Sequence, residues 1–339
     1  MICATNLYKN MRPIGYIFFS CVPVYCKKEM EVYAMTQAQY FKNLTTPAGK
    51  VDVVLDTDAY NEIDDQFAIA YMLRSDERIN VKGICAAPFF NEKSTSPADG
   101  MERSYQEIFR ILELSGHGSL SDRVFRGSEH YLENEQTPVL SDSARFMAEL
   151  AKQYSPEHPL YIVAIGAITN VASALLLNPD MKENTVIVWL GGNALHMNDT
   201  QEFNMFQDIA AARVVFGCGA PVVQLPCRGV VDRFVTSRYE LEHWLSGKNE
   251  LCDYLLKIAV RDGERYTSYP AWTRVIWDVT AVAWLLNDDH RFLSDCLVHS
   301  PIPEYDHHYA SDCSRHLIDY VYHVNRDALF TDLFEKLAK

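Results

Sequence analysis

The sequence has no closely spaced cysteine pair, no long uncharged apolar run and no excess of basic residues. Its nine cysteines are scattered over 339 residues, a pattern that excludes a disulfide framework or a zinc site and is typical of reduced thiols in a cytoplasmic protein. The formal net charge of -14 argues against nucleic acid and against an anionic membrane as partners. A small molecule, neutral or cationic, is the better match to this charge.

The first fifty residues differ from the rest of the chain. Residues 14–26 form an apolar run that is too short and too interrupted to span a bilayer. The run has some features of a signal-peptide core, but no clean cleavage site follows it. We therefore predict a non-catalytic N-terminal extension at residues 1–50 of a cytoplasmic protein, with an export signal in residues 1–34 as the alternative.

From residue 51 onward, strand patterns and helix patterns alternate. Apolar, strand-like segments stand at residues 51–55, 79–87, 159–165, 185–190, 221–225 and 317–324. Amphipathic segments separate them, and the last third of the chain is richer in helix. This alternation predicts an α/β fold: a Rossmann-like, open, mostly parallel sheet with helices on both faces and extra helices in the C-terminal third. Residues 51–339 are long enough to form one catalytic domain.

A cluster of acidic residues follows the first strand. Five carboxylates stand within ten residues, between the strand at 51–55 and an apolar helix: Asp56, Asp58, Glu62, Asp64 and Asp65. Ligands of open α/β sheets bind at the carboxyl ends of the strands, and Ca²⁺ and Mg²⁺ prefer carboxylate oxygens. Acidic residues also favour a helix N-terminus, but that role needs only one or two of them. The cluster therefore predicts a site for a divalent cation.

Polar residues also follow other predicted strands or precede apolar helices. Asn91 follows the second strand, Thr169 and Asn170 follow the strand at 159–165, and Asp278 precedes an apolar helix. Asp278 either caps that helix or contributes a carboxylate to the same edge of the sheet. Thr169 and Asn170 are equally open to a capping role.

Together these segments resemble the inosine–uridine-type nucleoside hydrolases over most of the chain from about residue 51. The family's Asp-x-Asp-x-x-x-Asp-Asp signature is similar to Asp56-Thr57-Asp58 followed by Asp64-Asp65. The other matching segments are Gly166 to Asn170 for Gly-x-Leu-Thr-Asn, Leu190-Gly191-Gly192 for Met-Gly-Gly, Glu202-Phe203-Asn204 for Glu-Phe-Asn, and Asp278 for a late aspartate.

The resemblance implies a Ca²⁺-dependent hydrolase that cleaves the N-glycosidic bond of a ribonucleoside to give ribose and a free base. It implies that Asp58, Asp65, Asp278 and the backbone carbonyl of Thr169 bind the ion, and that Asp58 accepts a proton from the attacking water. Ribose hydroxyls are expected at Asp64, Asn91, Glu202 and Asn204. The unit is expected to be a homodimer or a homotetramer.

The chain departs from the family pattern in three places. Five residues rather than three separate Asp58 from Asp64, which adds Glu62. Trp277 stands where many members carry a histidine that protonates the leaving base, and an indole cannot do so; the ring either stacks on the base or belongs to the core. The loop after Gly192 is shorter, so Asn198 is only a candidate for the asparagine that binds the ribose 5′-hydroxyl.

Two other interpretations of the sequence compete with the nucleoside hydrolase. Residues 56–60 partly match the Asp-x-Asp-x-Thr/Val motif of haloacid-dehalogenase-type phosphohydrolases, but Tyr60 breaks the motif and the 202–204 segment is left unexplained. The other reading is a catalytically impaired protein that binds Ca²⁺ and a ribosyl ligand on the same scaffold, which Trp277 keeps open.

Overall fold

The computed structural model describes residues 34–339. The apolar run at residues 14–26 and most of the segment considered for an export signal lie outside this range. In the part that is described, no helix is long and apolar enough to cross a membrane.

The strands carry the polar residues singled out above at or just beyond their carboxyl ends. In chain order they are β1 (Val51–Thr57), β2 (Ile79–Ala86), β3 (Val124–Phe125), β4 (Leu160–Ala164), β5 (Thr185–Leu190), β6 (Val222–Leu225), β7 (Val235–Ser237), β8 (Thr273–Val275), β9 (Leu293–His299), β10 (Ile302–Pro303), β11 (Tyr309–Ala310) and β12 (Leu317–Val324).

The α-helices connect these strands and gather in the last third of the chain. They are α1 (Gln37–Asn43), α2 (Asp64–Leu73), α3 (Pro97–Leu114), α4 (Asp142–Leu150), α5 (Thr169–Leu177), α6 (Met181–Asn184), α7 (Phe203–Gln207), α8 (Ile209–Gly217), α9 (Arg238–Leu245), α10 (Glu250–Tyr266), α11 (Val279–Trp284) and α12 (Arg326–Leu337).

Eight strands form the central sheet in the order β3-β2-β1-β4-β5-β6-β12-β9. All neighbouring pairs are parallel except β12 and β9, which are antiparallel. The chain builds outward from β1 through β2 and β3, then returns to β4 on the other side of β1. This reversal opens a crevice at the carboxyl ends of β1 and β4, where ligands of such sheets bind.

Apolar side chains fill both faces of the sheet. Along β1, Val53 and Leu55 pack on the side of α2, α11 and α12, whereas Val54 packs on the side of α4, α5 and α8. Successive side chains of a strand point to opposite faces, so a strand that is covered by helices on both sides must be apolar throughout. The predicted fold class, with its additional C-terminal helices, is confirmed.

Some elements differ from the sequence prediction. The edge strand β9 was not predicted, because its partly exposed residues mix polar and apolar types as edge strands do. Helix α1 lies within the predicted extension, and the Tyr40 hydroxyl donates to the carbonyl of Leu317 (2.7 Å). Part of residues 34–50 therefore packs on the sheet, and the division at residue 50 stays a prediction.

Candidate functional site

The acidic cluster lies in the crevice at the end of β1. Asp56 is the second-last residue of β1, Asp58 directly follows the end of that strand, and Asp64 and Asp65 begin α2. All four side chains are buried. The Thr57 hydroxyl donates to Asp65 Oδ1 (2.5 Å), so the strand end fixes the first turn of the helix. Asp64 and Asp65 both lie in the first turn of α2, where acidic residues are favoured.

Asp278 joins this cluster from a distant part of the chain. One carboxylate oxygen from each of Asp64, Asp65 and Asp278 lies within 4.8 Å of the others. Asp278 stands at the N-cap position of α11, yet within residues 34–339 its side chain makes no capping hydrogen bond. Of the two roles left open by the sequence, the structure therefore favours the contribution to the carboxylate cluster.

The electrostatics of the cluster call for a positive charge. Burial, reinforced by the neighbouring carboxylates, raises the pKa values of Asp58, Asp64 and Asp278 well above the ordinary range. Burial also raises the pKa of Asp65 to about 6. Among the described residues, Asp58 Oδ2 is buried without a hydrogen-bond partner. Buried charges are normally paired or bound to a metal, and an all-oxygen donor set suits a hard divalent cation.

Asp56 orients its surroundings from behind the cluster. Its Oδ1 accepts a hydrogen bond from Asn170 Nδ2 (2.8 Å), and Asn170 Oδ1 accepts from the backbone and hydroxyl of Ser128 (both 2.8 Å). Burial raises the pKa of Asp56 to about 7. A Cβ at Gly127 would lie 1.8 Å from the carbonyl of Ala86 and 2.5 Å from Asn170 Nδ2. Glycine is therefore required there for the three segments to meet.

Thr169 and Asn170 begin α5, but in the described part of the chain neither side chain caps it. The Thr169 hydroxyl donates to Asp208 Oδ2 (2.7 Å), while Asn170 is held by Asp56 and Ser128. The predicted metal ligand at Thr169 is its backbone carbonyl, and this role stays a prediction.

Glu202 and Asn204 line the opposite wall of the pocket. Glu202 caps α7: its carboxylate accepts from the backbone amides of Gly192 (2.7 Å), Asn204 (2.9 Å) and Met205 (3.1 Å). Asn204 Nδ2 donates to the carbonyls of Ile165 (3.2 Å) and Leu190 (3.0 Å), at the ends of β4 and β5. Both side chains are thus fixed by the sheet edge while they face the pocket.

The pocket itself has a volume of about 150 Å³. Its lining includes most of the predicted site residues, and it brings in others that the sequence did not single out as site residues. The lining residues are Asp58, Asn61, Glu62, Asp64, Asp65, Ile165, Leu190, Glu202, Phe203, Asn204, Cys227, Arg228, Trp277 and Asp278. Trp277 lines the pocket and also packs against the core, and its stacking on a base stays a prediction.

Two predicted substrate ligands lie outside this lining. Asn91 donates from Nδ2 to Asn61 Oδ1 (2.6 Å), so Asn61 reaches the pocket and Asn91 supports it from behind. Asn198 is exposed in a turn that Asn193 holds through the carbonyl of Asp199 (2.9 Å). The shorter loop therefore does not bring Asn198 to the pocket. The signal that could have identified Asn61 is its place in the lengthened loop after Asp58.

Glu62, the extra carboxylate of that loop, faces a cation. Glu62 Oε2 lies 3.3 Å from Arg274 Nη2, and the same nitrogen lies 2.7 Å from Asp262 Oδ2. The Arg274 guanidinium also stands 4.6 Å from the centre of the Tyr266 ring. Glu62 thus forms a wall of the pocket, and Arg274 anchors that wall.

The fold and the pocket define a class of protein: a Rossmann-like α/β protein with a buried, oxygen-rich ligand pocket at the carboxyl edge of its sheet. Comparison with known families makes the assignment more specific. The sequence profile described as inosine-uridine preferring nucleoside hydrolase matches residues 53–319. The chain belongs to this family, whose members are N-ribosyl hydrolases.

Individual relatives agree with this assignment. The chain is 28% identical over 232 residues to the probable uridine nucleosidase 2 of Arabidopsis thaliana, covering 61% of this chain and 68% of that protein. It is 25% identical over 256 residues to the pyrimidine-specific ribonucleoside hydrolase RihA of Citrobacter koseri, covering 67% and 77%. The fold is similar to a purine-preferring ribonucleoside hydrolase from Gardnerella vaginalis, with a TM-score of 0.70, 19% identity, and coverage of 85% and 98%.

Proposed function

We propose that the protein hydrolyses the N-glycosidic bond of a ribonucleoside in a Ca²⁺-dependent reaction that releases ribose and the free base. The observation that carries this proposal is the convergence of Asp64, Asp65 and Asp278 within 4.8 Å, beside a buried Asp58 with an unpartnered oxygen. Family membership supports the N-ribosyl hydrolase over a phosphohydrolase, for which residues 202–204 have no role.

The carboxylates and one carbonyl would hold the ion. Asp58, Asp65, Asp278 and the carbonyl of Thr169 are the proposed ligands, and all of them offer oxygen. Bound Ca²⁺ would supply the positive charge that the buried carboxylates require, bind ribosyl hydroxyls and lower the pKa of a water molecule.

The side chains supply the remaining steps. Asp58 accepts the proton of the water that attacks C1′. Positive charge develops on the ribosyl ring in the transition state, and the surrounding carboxylates stabilise it. Asp64, Glu202 and Asn204 hold ribose hydroxyls, with Asn61 and Asn91 completing the wall on the side of the lengthened loop.

The departing base receives no proton from Trp277. Its indole N–H donates hydrogen bonds but is not a general acid, so its role in the pocket is to stack on the aglycone. The relatives are named for uridine, for pyrimidines and for purines, so both purine and pyrimidine ribosides are tested.

The first experiment measures release of reducing sugar from purine, pyrimidine and nicotinamide ribosides, with and without a calcium chelator. Asp58→Asn is compared with wild type, and Asp122→Asn, the same change at an exposed position, is the matched control. We expect turnover that is lost with the chelator and with Asp58→Asn and is retained by Asp122→Asn.

Other outcomes would overturn this proposal in different ways. Calcium binding without turnover of any riboside would favour the ribosyl-binding protein. Turnover that is insensitive to chelation would show that the ion is not needed for the reaction.

We also propose that the protein is a homodimer or a homotetramer. Light scattering that gave the mass of a single chain would refute this proposal.

A further inference from the structure

A second cavity, the basic cleft, adjoins the carboxylate pocket. It lies between α3, α10 and the loop that follows Asp58, and Glu62 lines both cavities. The cleft has a volume of about 500 Å³, against about 150 Å³ for the pocket. Pockets that bury drug-sized ligands range from about 300 to 1,000 Å³. The carboxylate pocket is therefore of a size for the ribosyl group, and the cleft offers room for the rest of a larger substrate.

The cleft carries the opposite charge from the chain as a whole. Its lining contains three acidic residues, Glu62, Glu107 and Asp262, and six basic residues: Lys93, Arg103, Arg110, Lys257, Arg261 and Arg265. The formal net charge of the chain is -14, so this concentration of cations in a concave site is a local reversal. A cleft in which one sign of charge predominates focuses its field and raises the local concentration of an oppositely charged ligand.

The arrangement of the cations follows from helix geometry. Lys257, Arg261 and Arg265 are spaced at four-residue intervals and share one face of α10. On α3, Arg103 and Arg110 are seven residues apart and again share a face. The two helices thus present cations to the same space from opposite sides.

Internal ion pairs leave part of this charge uncompensated. Arg103 pairs with Asp99 (3.0 Å), Arg110 with Glu107 (3.2 Å) and Arg265 with Glu92 (3.3 Å). These cations are partly exposed, and such pairs contribute little to stability. Over residues 34–339, neither Lys257 nor Arg261 forms an ion pair or a side-chain hydrogen bond.

We propose that the basic cleft binds an anionic group, a phosphate or a carboxylate, on the substrate whose ribosyl group occupies the carboxylate pocket. The inference rests on the proposed function and deepens it. A neutral nucleoside needs no such cations, whereas guanidinium groups match the geometry of phosphate and carboxylate oxygens. The proposal differs from the expectation of a neutral or cationic substrate, which came from the charge of the whole chain and stays a prediction.

The test uses substrates that differ only in the anionic group. Uridine is compared with uridine 5′-monophosphate and with orotidine, and nicotinamide riboside with nicotinate riboside. For each pair, kcat/KM is measured at low and at high salt. We expect the member that carries the added phosphate or carboxylate to be preferred, and the preference to weaken as salt increases, because added ions screen the cleft. A preference for the monophosphate identifies phosphate as the group, and a preference for orotidine and nicotinate riboside identifies a carboxylate on the base.

Charge reversal tests the named residues. In the double variant Lys257→Glu with Arg261→Glu, we expect the ratio of anionic to neutral kcat/KM to fall about tenfold. The charge-conserving pair Lys257→Arg with Arg261→Lys is expected to retain the ratio. Lys248→Glu changes an exposed residue just before α10 and is the matched control. It is expected to leave kcat/KM unchanged for both members of each substrate pair.

Equilibrium binding keeps this inference separate from turnover. Titration of the calcium-loaded protein with uridine 5′-monophosphate, orotidine and uridine is expected to show tighter binding of at least one anionic ligand, and weaker binding of that ligand by the charge-reversed variant. Equal affinities for all three ligands, or an unchanged affinity after charge reversal, would overturn the inference. Absence of turnover with the binding preference intact would overturn the proposed hydrolysis and leave the anion site standing.

Discussion

Replacing Asp65 by asparagine should stabilise the protein when calcium is removed, even though Asp65 is a proposed metal ligand. The side chain is almost fully buried among other carboxylates. Asparagine has the same shape, and its Oδ1 can still accept the hydrogen bond from the Thr57 hydroxyl (2.5 Å). The substitution therefore removes one buried charge and keeps the local packing.

The sign and size of the effect follow from the pKa. Burial raises the pKa of Asp65 from 3.8 to about 6 in the folded protein. The folded state then holds a proton that the unfolded state has lost, so stability falls as the pH rises from 3.8 to about 6, and the loss is complete above that range. The difference corresponds to about 3 kcal/mol at pH 8. Neighbouring carboxylates relax in response, so we expect asparagine to recover about 1–3 kcal/mol, or about 2–5 °C in Tm.

The assay is thermal unfolding of wild type, Asp65→Asn and Asp122→Asn between pH 4 and pH 8, with a chelator and then with calcium. With the chelator, Asp65→Asn should melt above wild type at pH 8, and the gap should narrow towards pH 4. Calcium should close or reverse this gap, because an ion at 100 times its Kd stabilises wild type by about 2.7 kcal/mol. If Asp65→Asn melts below wild type at pH 8 in chelator, groups within the protein compensate the negative charge of Asp65. The cluster then needs no cation.

Three further perturbations test other parts of the structure. Asp58→Asn should lower kcat by roughly 100-fold or more, since general bases contribute 10²–10⁴-fold, and a kcat that stayed within threefold of wild type would exclude Asp58 as the base. Burial raises the pKa of Asp319 to about 8, so the stability of wild type should fall as the pH rises from 3.8 to 8. Urea titrations of Asp319→Asn should show a weaker fall, and equal slopes of unfolding free energy against pH in the two proteins would refute this. Gly127→Ala would place a Cβ 1.8 Å from the carbonyl of Ala86 and should cost about 1–3 kcal/mol in urea unfolding, with reduced turnover because Asn170 is displaced. An unchanged midpoint would contradict this expectation.

The fold was predictable because its signals are local. Strands buried on both faces are apolar over their whole length, and residues 185–190 and 317–324 were predicted with the boundaries that the structure has. The short strands β10 and β11 and the antiparallel edge strand β9 were not predicted. Their residues are partly exposed, so no regular apolar pattern marks them.

The candidate site was predictable where a residue type has one main use. Acidic residues in excess of what a helix start needs indicated the cluster, although Asp278 kept two interpretations. A side chain before a helix can cap that helix or face away from it, and only the packing of α11 beside α2 decides between them. Arg228 reaches the pocket because a distant loop closes around it, and nothing in its local sequence requires that position.

The lengthened loop borders both cavities and is one of the three features that distinguish this chain from the family pattern. Its turn is closed by the Asn61 amide, which donates to the carbonyl of Asp58 (2.7 Å), and Lys93 Nζ donates to the carbonyl of Asn61 (2.5 Å). One side of the loop thus contributes Asn61 and Glu62 to the carboxylate pocket, while Tyr60 and Glu62 line the basic cleft. The proposed chemistry of ribosyl transfer to water lies in Asp58 and the carboxylates around it, so we expect this loop to alter which aglycone is accepted without altering the reaction. Substrate selection and catalysis should then be separable. The ratio of kcat/KM values for ribosides with and without the added phosphate or carboxylate tests selection, and Asp58→Asn tests catalysis.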